Sequence, residues 1–193
     1  MDNFVQQSPF NKARVDKFTL VLNLPTALKP INRRFVRDNS SINLDTIQFS
    51  IEGTVLPEIV VPAVETRHTG GNIYVSSHSR SPHPPVSVQF TIDNHFNNYN
   101  VIYQWLNLQR DEREGVYGIV NARKLASPEA VLKEYSTTFN LIVKNENNEP
   151  VMRFDYHNAF PTKLGSVKWD SQDSKEIVCT FDFVFSNITC TVI

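Results

Sequence analysis

The stretch from Asn158 to Phe185, NAFPTKLGSVKWDSQDSKEIVCTFDFVF, constrains this chain more than any other. Its last third alternates: Ile177, Cys179, Phe181, Phe183 and Phe185 share one face of an extended strand, while Val178, Thr180, Asp182 and Val184 share the other. An apolar face opposite a mixed one belongs in a sheet with a core on one side and a setting that accepts polar groups on the other. Upstream, Phe160-Pro161 reads as a corner, Gly165 as a turn and Trp169 as the end of a strand. Asp170 to Ser174 supplies the reversal, because short polar side chains bond their own backbone there. The stretch reads as one hairpin, so the chain is a β-protein.

The same alternation recurs. Phe18, Leu20, Leu22 and Leu24 share a face before Pro25; Thr46 to Val55 puts Ile47, Phe49, Ile51 and Val55 together and breaks at Gly53; Val86, Val88, Phe90 and Ile92 follow. Tyr135 to Lys144 and Val151 to Tyr156 form a second hairpin around Asn145 to Pro150. One good helix spans about His95 to Arg110, capped by Asp93 or Asn94, with Tyr99, Ile102, Trp105 and Leu106 as its apolar stripe. Ser127-Pro128-Glu129 predicts a short second helix through Leu132. About seven or eight strands and one principal helix give a mainly β fold, a β-sandwich or part-closed β-barrel with one flanking α-helix. At 193 residues this is a single domain, 1–193.

Two segments stand outside that frame. Residues 1–17 read as an extended N-terminal arm, and residues 56–85 as a projecting connector and hairpin arm. Within the latter, Pro57 and Pro62 bracket Ile59-Val60-Val61, and proline removes the donors that a central strand needs. Leu56, Pro57, Ile59, Val60 and Val61, with Tyr74 and Val75 further along, are therefore the candidate subunit interface. The loop from Thr26 to Asp45 carries Arg33, Arg34 and Arg37, which read as solvated surface.

Chemistry is sparse. Nineteen basic residues against twenty acidic ones leave a net charge of -1, so no global field draws the protein to nucleic acid or to an anionic membrane. His68, His78, His83, His95 and His157 fall at no metal-ligand spacing, Gly70-Gly71 lacks the residues of a phosphate cradle, and no nucleophile elbow is present. Acid pairs such as Asp111 with Glu114 or Asp170 with Asp173 fall in turns, where solvation keeps them ordinary. The expectation is no enzyme, no cofactor and no metal. Trp105 and Trp169 read as core, and Cys179 and Cys190 as reduced, buried thiols. No segment has the apolar length of a membrane helix.

Certain residues carry a family likeness. Phe160-Pro161-Thr162-Lys163-Leu164-Gly165, then Val167-Lys168-Trp169-Asp170-Ser171 and the strand from Ile177, resemble the C-terminal signature of contractile-tail tube proteins of bacteriophages. Val55 to Val60 resembles that family's leucine-proline connector, and Val86 to Asn94 leads into a helix with its apolar-x-x-Trp step at Ile102 and Trp105. Trp105, Phe160, Pro161, Gly165 and Trp169 are thus the signature positions. The resemblance implies a structural subunit of a phage tail tube, six copies to a ring, rings stacked head to tail around a channel through which DNA passes without sequence recognition. It also implies sheath, baseplate and other tail proteins as partners and a place in the virion tail after assembly in the host cytoplasm. Thr180 and Asp182 become candidates for the lumen or a subunit seam. A baseplate or tail-terminal adaptor and a type VI-like needle subunit share this fold. From another class, a monomeric ligand-binding β-domain using Tyr74, Arg80 and the loop histidines is the rival reading.

Overall fold

The computed structural model describes residues 12–28, 46–47, 50–109, 128–172 and 174–193. Arg33, Arg34, Arg37, Asp111, Glu114, Asp173, the cap at Ser127, the side chains of Ile47 and Phe49 and most of the N-terminal arm lie outside the described residues. The strands are β1 (Phe18–Asn23), β2 (Thr46–Ile47), β3 (Ser50–Thr54), β4 (Ala63–His68), β5 (Gly71–Ser76), β6 (Val86–Thr91), β7 (Thr137–Lys144), β8 (Pro150–Leu164), β9 (Val178–Val184) and β10 (Asn187–Val192). The helices are α1 (Asn97–Gln109) and α2 (Pro128–Tyr135). Eight strands form one sheet in the order β2-β1-β7-β8-β9-β6-β3, with β10 paired to β8, and β4-β5 stand apart. Every ladder is antiparallel.

The strand count exceeds the expected seven or eight for two reasons. The described residues of Thr46 to Val55 fall as Thr46–Ile47, paired with β1, and Ser50–Thr54, paired with β6, and Asn187 to Val192, mostly exposed, is a strand that no buried alternation announces. The change of partner shapes the whole sheet. β2 and β3 sit at opposite ends of the strand order yet are separated by only two residues. Three Cα steps of 3.8 Å span at most about 11 Å, so the ends of the sheet are drawn together. The result is a part-closed barrel rather than a closed one.

β8 makes the bend. It is 15 residues long; its first half lies between β7 and β10, and its second half runs beside β9. The ladder shifts register between Pro161 and Lys163, where the fully buried Pro161 has no N–H to lose. The predicted Phe160-Pro161 corner is therefore a bulge inside a strand. The strand ends at Leu164 rather than at Trp169, and Gly165 is not a turn residue: its N–H donates to the Thr180 carbonyl at 2.6 Å.

The core fills the curl. Leu20 and Leu22 of β1, Val88 and Phe90 of β6, Phe139 of β7, and Cys179, Phe181 and Phe183 of β9 are buried, as the alternation predicts. Phe139 meets Phe183 edge-on at 4.9 Å and Trp105 at 5.7 Å. Helix α1 buries Val101, Ile102, Trp105 and Leu108. Asp93 caps it, accepting from the N–H of His95 at 3.0 Å and of Asn97 at 2.8 Å. Buried Asn98 donates to the Thr91 carbonyl at 2.8 Å and so ties the helix start to the end of β6. Helix α2 continues past Leu132 to Tyr135, and the following strand starts at Thr137 instead of Tyr135. The cause is tertiary: Trp105 Nε1 donates to the Tyr135 carbonyl at 2.6 Å, and the Tyr135 ring packs edge-on to Phe160 at 5.0 Å. Both cysteines are free, but only Cys179 is buried, and that burial pushes its thiol pKa up. Cys190 is exposed on β10, which corrects the expectation of two buried thiols.

Tyr156 is the one described residue whose buried side-chain polar atom lacks a hydrogen-bond partner. Burial pushes its pKa up to about 12. An unfolded tyrosine ionises near pH 10, so between those values the unfolded state holds fewer protons and stability falls as pH rises. Tyr156→Phe is expected to abolish that alkaline slope and, by removing an unsatisfied hydroxyl, to raise stability at pH 7 by about 1 kcal/mol. Urea unfolding at pH 7 and pH 11 checks both; a variant less stable at pH 7 sinks the argument.

Candidate functional site

Two surfaces stand out among the described residues, an arm and a sheet face. The arm rises from between β3 and β6. Ser77 N–H donates to the Pro62 carbonyl at 2.9 Å and Ser81 N–H to the Val60 carbonyl at 3.1 Å, so the two legs of the connector are tied. His83 stacks on Phe185 at 4.9 Å, and its Nδ1 lies 3.4 Å from the Glu58 carbonyl, anchoring the base to the end of β9. Above that, β4 and β5 pair along their whole length, from Ala63 opposite Ser76 to His68 opposite Gly71. Gly70 takes a φ of 88° in the turn, a conformation only glycine adopts without strain.

Every residue of β4 and β5 is exposed. Val64 sits across from Val75 and Thr66 across from Ile73, so one face of the hairpin is largely apolar; Glu65 across from Tyr74 and Arg67 across from Asn72 mark the other. Asn72 Nδ2 donates to Glu65 on that second face. Of the candidate interface residues, Leu56, Ile59, Val60, Val61, Tyr74 and Val75 are 41–74% exposed. Pro57 departs from the set, since it is buried beneath the connector. A two-stranded hairpin in water is marginal by itself, so an apolar one of this kind gains stability from whatever covers it.

The second surface is the outward side of β3, β6, β9 and the end of β8. Here Ser87 lies opposite Asp182 and Gln89 opposite Thr180. Charges on this side are answered in place. Gln89 Nε2 donates to Glu52 Oε2 at 2.9 Å, Thr91 Oγ1 donates to the other Glu52 oxygen, and Lys163 Nζ lies 3.6 Å from Asp182 Oδ2. Asp182 is a quarter exposed and points away from the core that Phe181 and Phe183 fill. Thr180 is exposed beside it.

The signature positions divide. Trp105 is fully buried, Pro161 is buried and Phe160 is half-buried. Trp169 is not core: it is 68% exposed and stacks on Phe96 at 5.7 Å, because the chain has left the sheet at Leu164 and runs over the surface. The histidines do not converge, and among the described residues no three His, Cys, Asp or Glu side chains could share a metal ion. His157 Nε2 instead pairs with Thr189 Oγ1 at 2.9 Å and His68 Nδ1 with Thr69 Oγ1 at 3.1 Å. One further feature escapes sequence reading: a groove of about 500 Å³ between β1 and β3, with Lys17, Phe18, Glu52, Thr54, Leu141 and Val143 among its walls. Neither Tyr74 nor Arg80, which the rival ligand-binding reading uses, lines it. Among the described residues no helix is long and apolar enough to cross a membrane.

Comparison with known proteins agrees with this architecture. No curated protein matches significantly. Among solved structures, a chain of the sheath-tube complex of the PVC extracellular contractile injection system, in its extended state, aligns over 100% of both chains at 12% identity and a TM-score of 0.60. A chain of the tube-terminating cap of the anti-feeding prophage aligns over 94% of this chain and 92% of its own, at 15% identity and a TM-score of 0.57. A chain of the anti-feeding prophage baseplate gives 94% and 96%, 15% identity and 0.51. These likenesses establish the fold. The model of the family described as phage tail tube protein matches residues 13–189, nearly the whole chain, and the chain belongs to that family of structural tail components.

Proposed function

We propose that this protein builds a tail tube from hexameric rings stacked head to tail, with the outward face of β3, β6, β9 and the end of β8 lining a central channel. The carrying observation is that face. It lies opposite the core, carries hydroxyl and amide groups alongside Val178 and Val184, and holds its one lysine against Asp182 and its one glutamate against Gln89 and Thr91. A wall that must let DNA slide needs wetting without free cations, because each unpaired lysine or arginine would bind a phosphate and displace its counterions. The arm suits the stacking contact: an exposed apolar hairpin on one end of a subunit calls for a receiving surface on another, and a heterologous contact of that kind propagates into a filament. Assembly in the host cytoplasm, a place in the virion tail, and sheath and baseplate partners belong to the same reading.

Electron microscopy of the purified full chain, concentrated and alone, tests it. The expected result is six-fold rings or tubes roughly 100 Å across, the size six domains of this length require. Tubes identify a main tube subunit and single closed rings a terminal adaptor. A protein that stays monomeric at high concentration, with or without sheath and baseplate partners, overturns the proposal.

A further inference from the structure

We propose that the return leg of the arm's connector, residues 77–83, is a strained strap, held down where the His83 ring latches onto Phe185. The outgoing leg offers a carbonyl at every second residue. Ser77 N–H donates to Pro62 at 2.9 Å, Ser81 N–H donates to Val60 at 3.1 Å, and His83 Nδ1 lies 3.4 Å from the Glu58 oxygen. Between the first two rungs the return leg takes four residue steps, Ser77 to Ser81, where the outgoing leg takes two, Pro62 to Val60. The surplus is taken up at His78, whose φ of 55° lies in the left-handed region that a residue with a Cβ enters only at a cost. Serines brace the kink: Ser79 Oγ donates to Ser77 Oγ at 3.1 Å, and His78 N–H donates to Ser76 Oγ at 3.2 Å.

The latch is one ring on a fixed post. Val86 lies opposite Phe183, so the same register continued puts Pro84 opposite Phe185. Proline has no N–H for the next rung, and the ladder of β6 with β9 stops there. The His83 ring stands in for that rung, stacked on Phe185 at 4.9 Å with 25° between the planes. Phe185 is itself held by the core: fully buried Tyr156 meets it edge-on at 5.0 Å, and Phe183 lies 6.2 Å away. Among the described residues, no hydrogen bond or ion pair joins residues 58–82 to the sheet. The stack therefore pins the return leg, and when it parts the leg lifts without breaking a rung of the sheet. Local opening of that kind costs far less than unfolding. Strain at His78 favours lifting and the stack opposes it, so the arm has two positions, one aligned by the latch and one free.

Trypsin reads the free position, because a protease cuts extended chain and its rate follows the population that opens. The bond after Arg80 lies within the strap, whereas Arg153, in β8 between β7 and β10, reports unfolding of the sheet. Full-length variants are compared by initial rates, each divided by the rate on a free peptide of the same local sequence. His83→Ala is expected to speed the cut after Arg80 about tenfold and leave Arg153 unchanged, while His83→Phe, which keeps a ring on the post, stays near the native rate. His78→Gly, which removes the strain, is expected to slow the cut about threefold. The proposal is overturned if His83→Ala leaves the Arg80 rate unchanged or speeds Arg153 equally, if His83→Phe behaves as His83→Ala does, or if His78→Gly does not slow the cut. Strap and latch lie in one chain, so these ratios are expected to hold over about a hundredfold dilution. Ratios that collapse on dilution belong to a neighbouring copy and also overturn it. None of these outcomes depends on ring assembly.

Discussion

Trp105→Ala is expected to lower folding stability by about 3–5 kcal/mol, the range for deleting a large buried aromatic. That is a sizeable share of the roughly 5–15 kcal/mol that holds a domain together. Trp105 is fully buried, lies edge-on to Phe139, and donates its indole N–H to the Tyr135 carbonyl at the end of α2. The substitution removes packing and leaves a carbonyl short of a donor. Trp105→Phe separates the parts: much of the packing returns, the hydrogen bond does not, and the remaining loss is expected near 1 kcal/mol. Urea denaturation followed by circular dichroism reads both values. If Trp105→Ala costs less than about 1 kcal/mol, the helix does not close this core and the placement of α1 is wrong.

Gly165→Ala is the second large effect, and its cause is contact rather than conformation. A methyl group at Gly165 would stand 2.5 Å from Thr180 Oγ1 and 2.8 Å from the Thr180 carbonyl oxygen. The side chain can turn away, but the carbonyl cannot, since it accepts from the N–H of Gly165 itself. The strands must separate where β8 hands over to the surface loop, at an expected cost of about 1–3 kcal/mol. Adding Thr180→Ala relieves the hydroxyl clash and leaves the carbonyl clash, so the double variant is expected to recover only part of the loss. Full recovery would show that the hydroxyl alone excludes the methyl. In assembled protein the lesion is also read at the sheet face, where Thr180 and Asp182 lie.

How much of this was legible in the sequence depends on what each residue's pattern reports. Alternation at Cys179, Phe181 and Phe183, at Val86, Val88 and Phe90, and at Leu20 and Leu22 reports burial on one face, and those strands lie where their periods put them. The helix was legible too, because Asp93 and the stripe at Ile102 and Trp105 are local signals. Pairing is not local. Nothing in Thr46 to Val55 states that its start joins β1 and its end joins β6, since both outcomes suit the same alternating residues. The groove follows from that choice and was equally hidden. Trp169 misled for a different reason: a large aromatic is usually buried, but here its ring satisfies itself against Phe96 on the surface. Pro161 gave a true signal of irregularity, which the structure uses as a bulge in a continuing strand. The arm was legible as an outsider because its prolines and glycines forbid a central strand.

The point at which the arm joins the sheet has a consequence for how such subunits diversify. β3 and β6 are hydrogen-bonded neighbours, with Thr54 opposite Val88, so residues 55–85 depart and return at adjacent positions. Closing a loop costs free energy only as the logarithm of its length, and ten extra residues there add about 0.3 kcal/mol. The sheet is therefore indifferent to what is spliced into this site. Arm length and sequence can drift, or be exchanged for a foreign hairpin, while the sheet stays the same, which makes the chemistry of the arm a trait that is inherited separately from the fold.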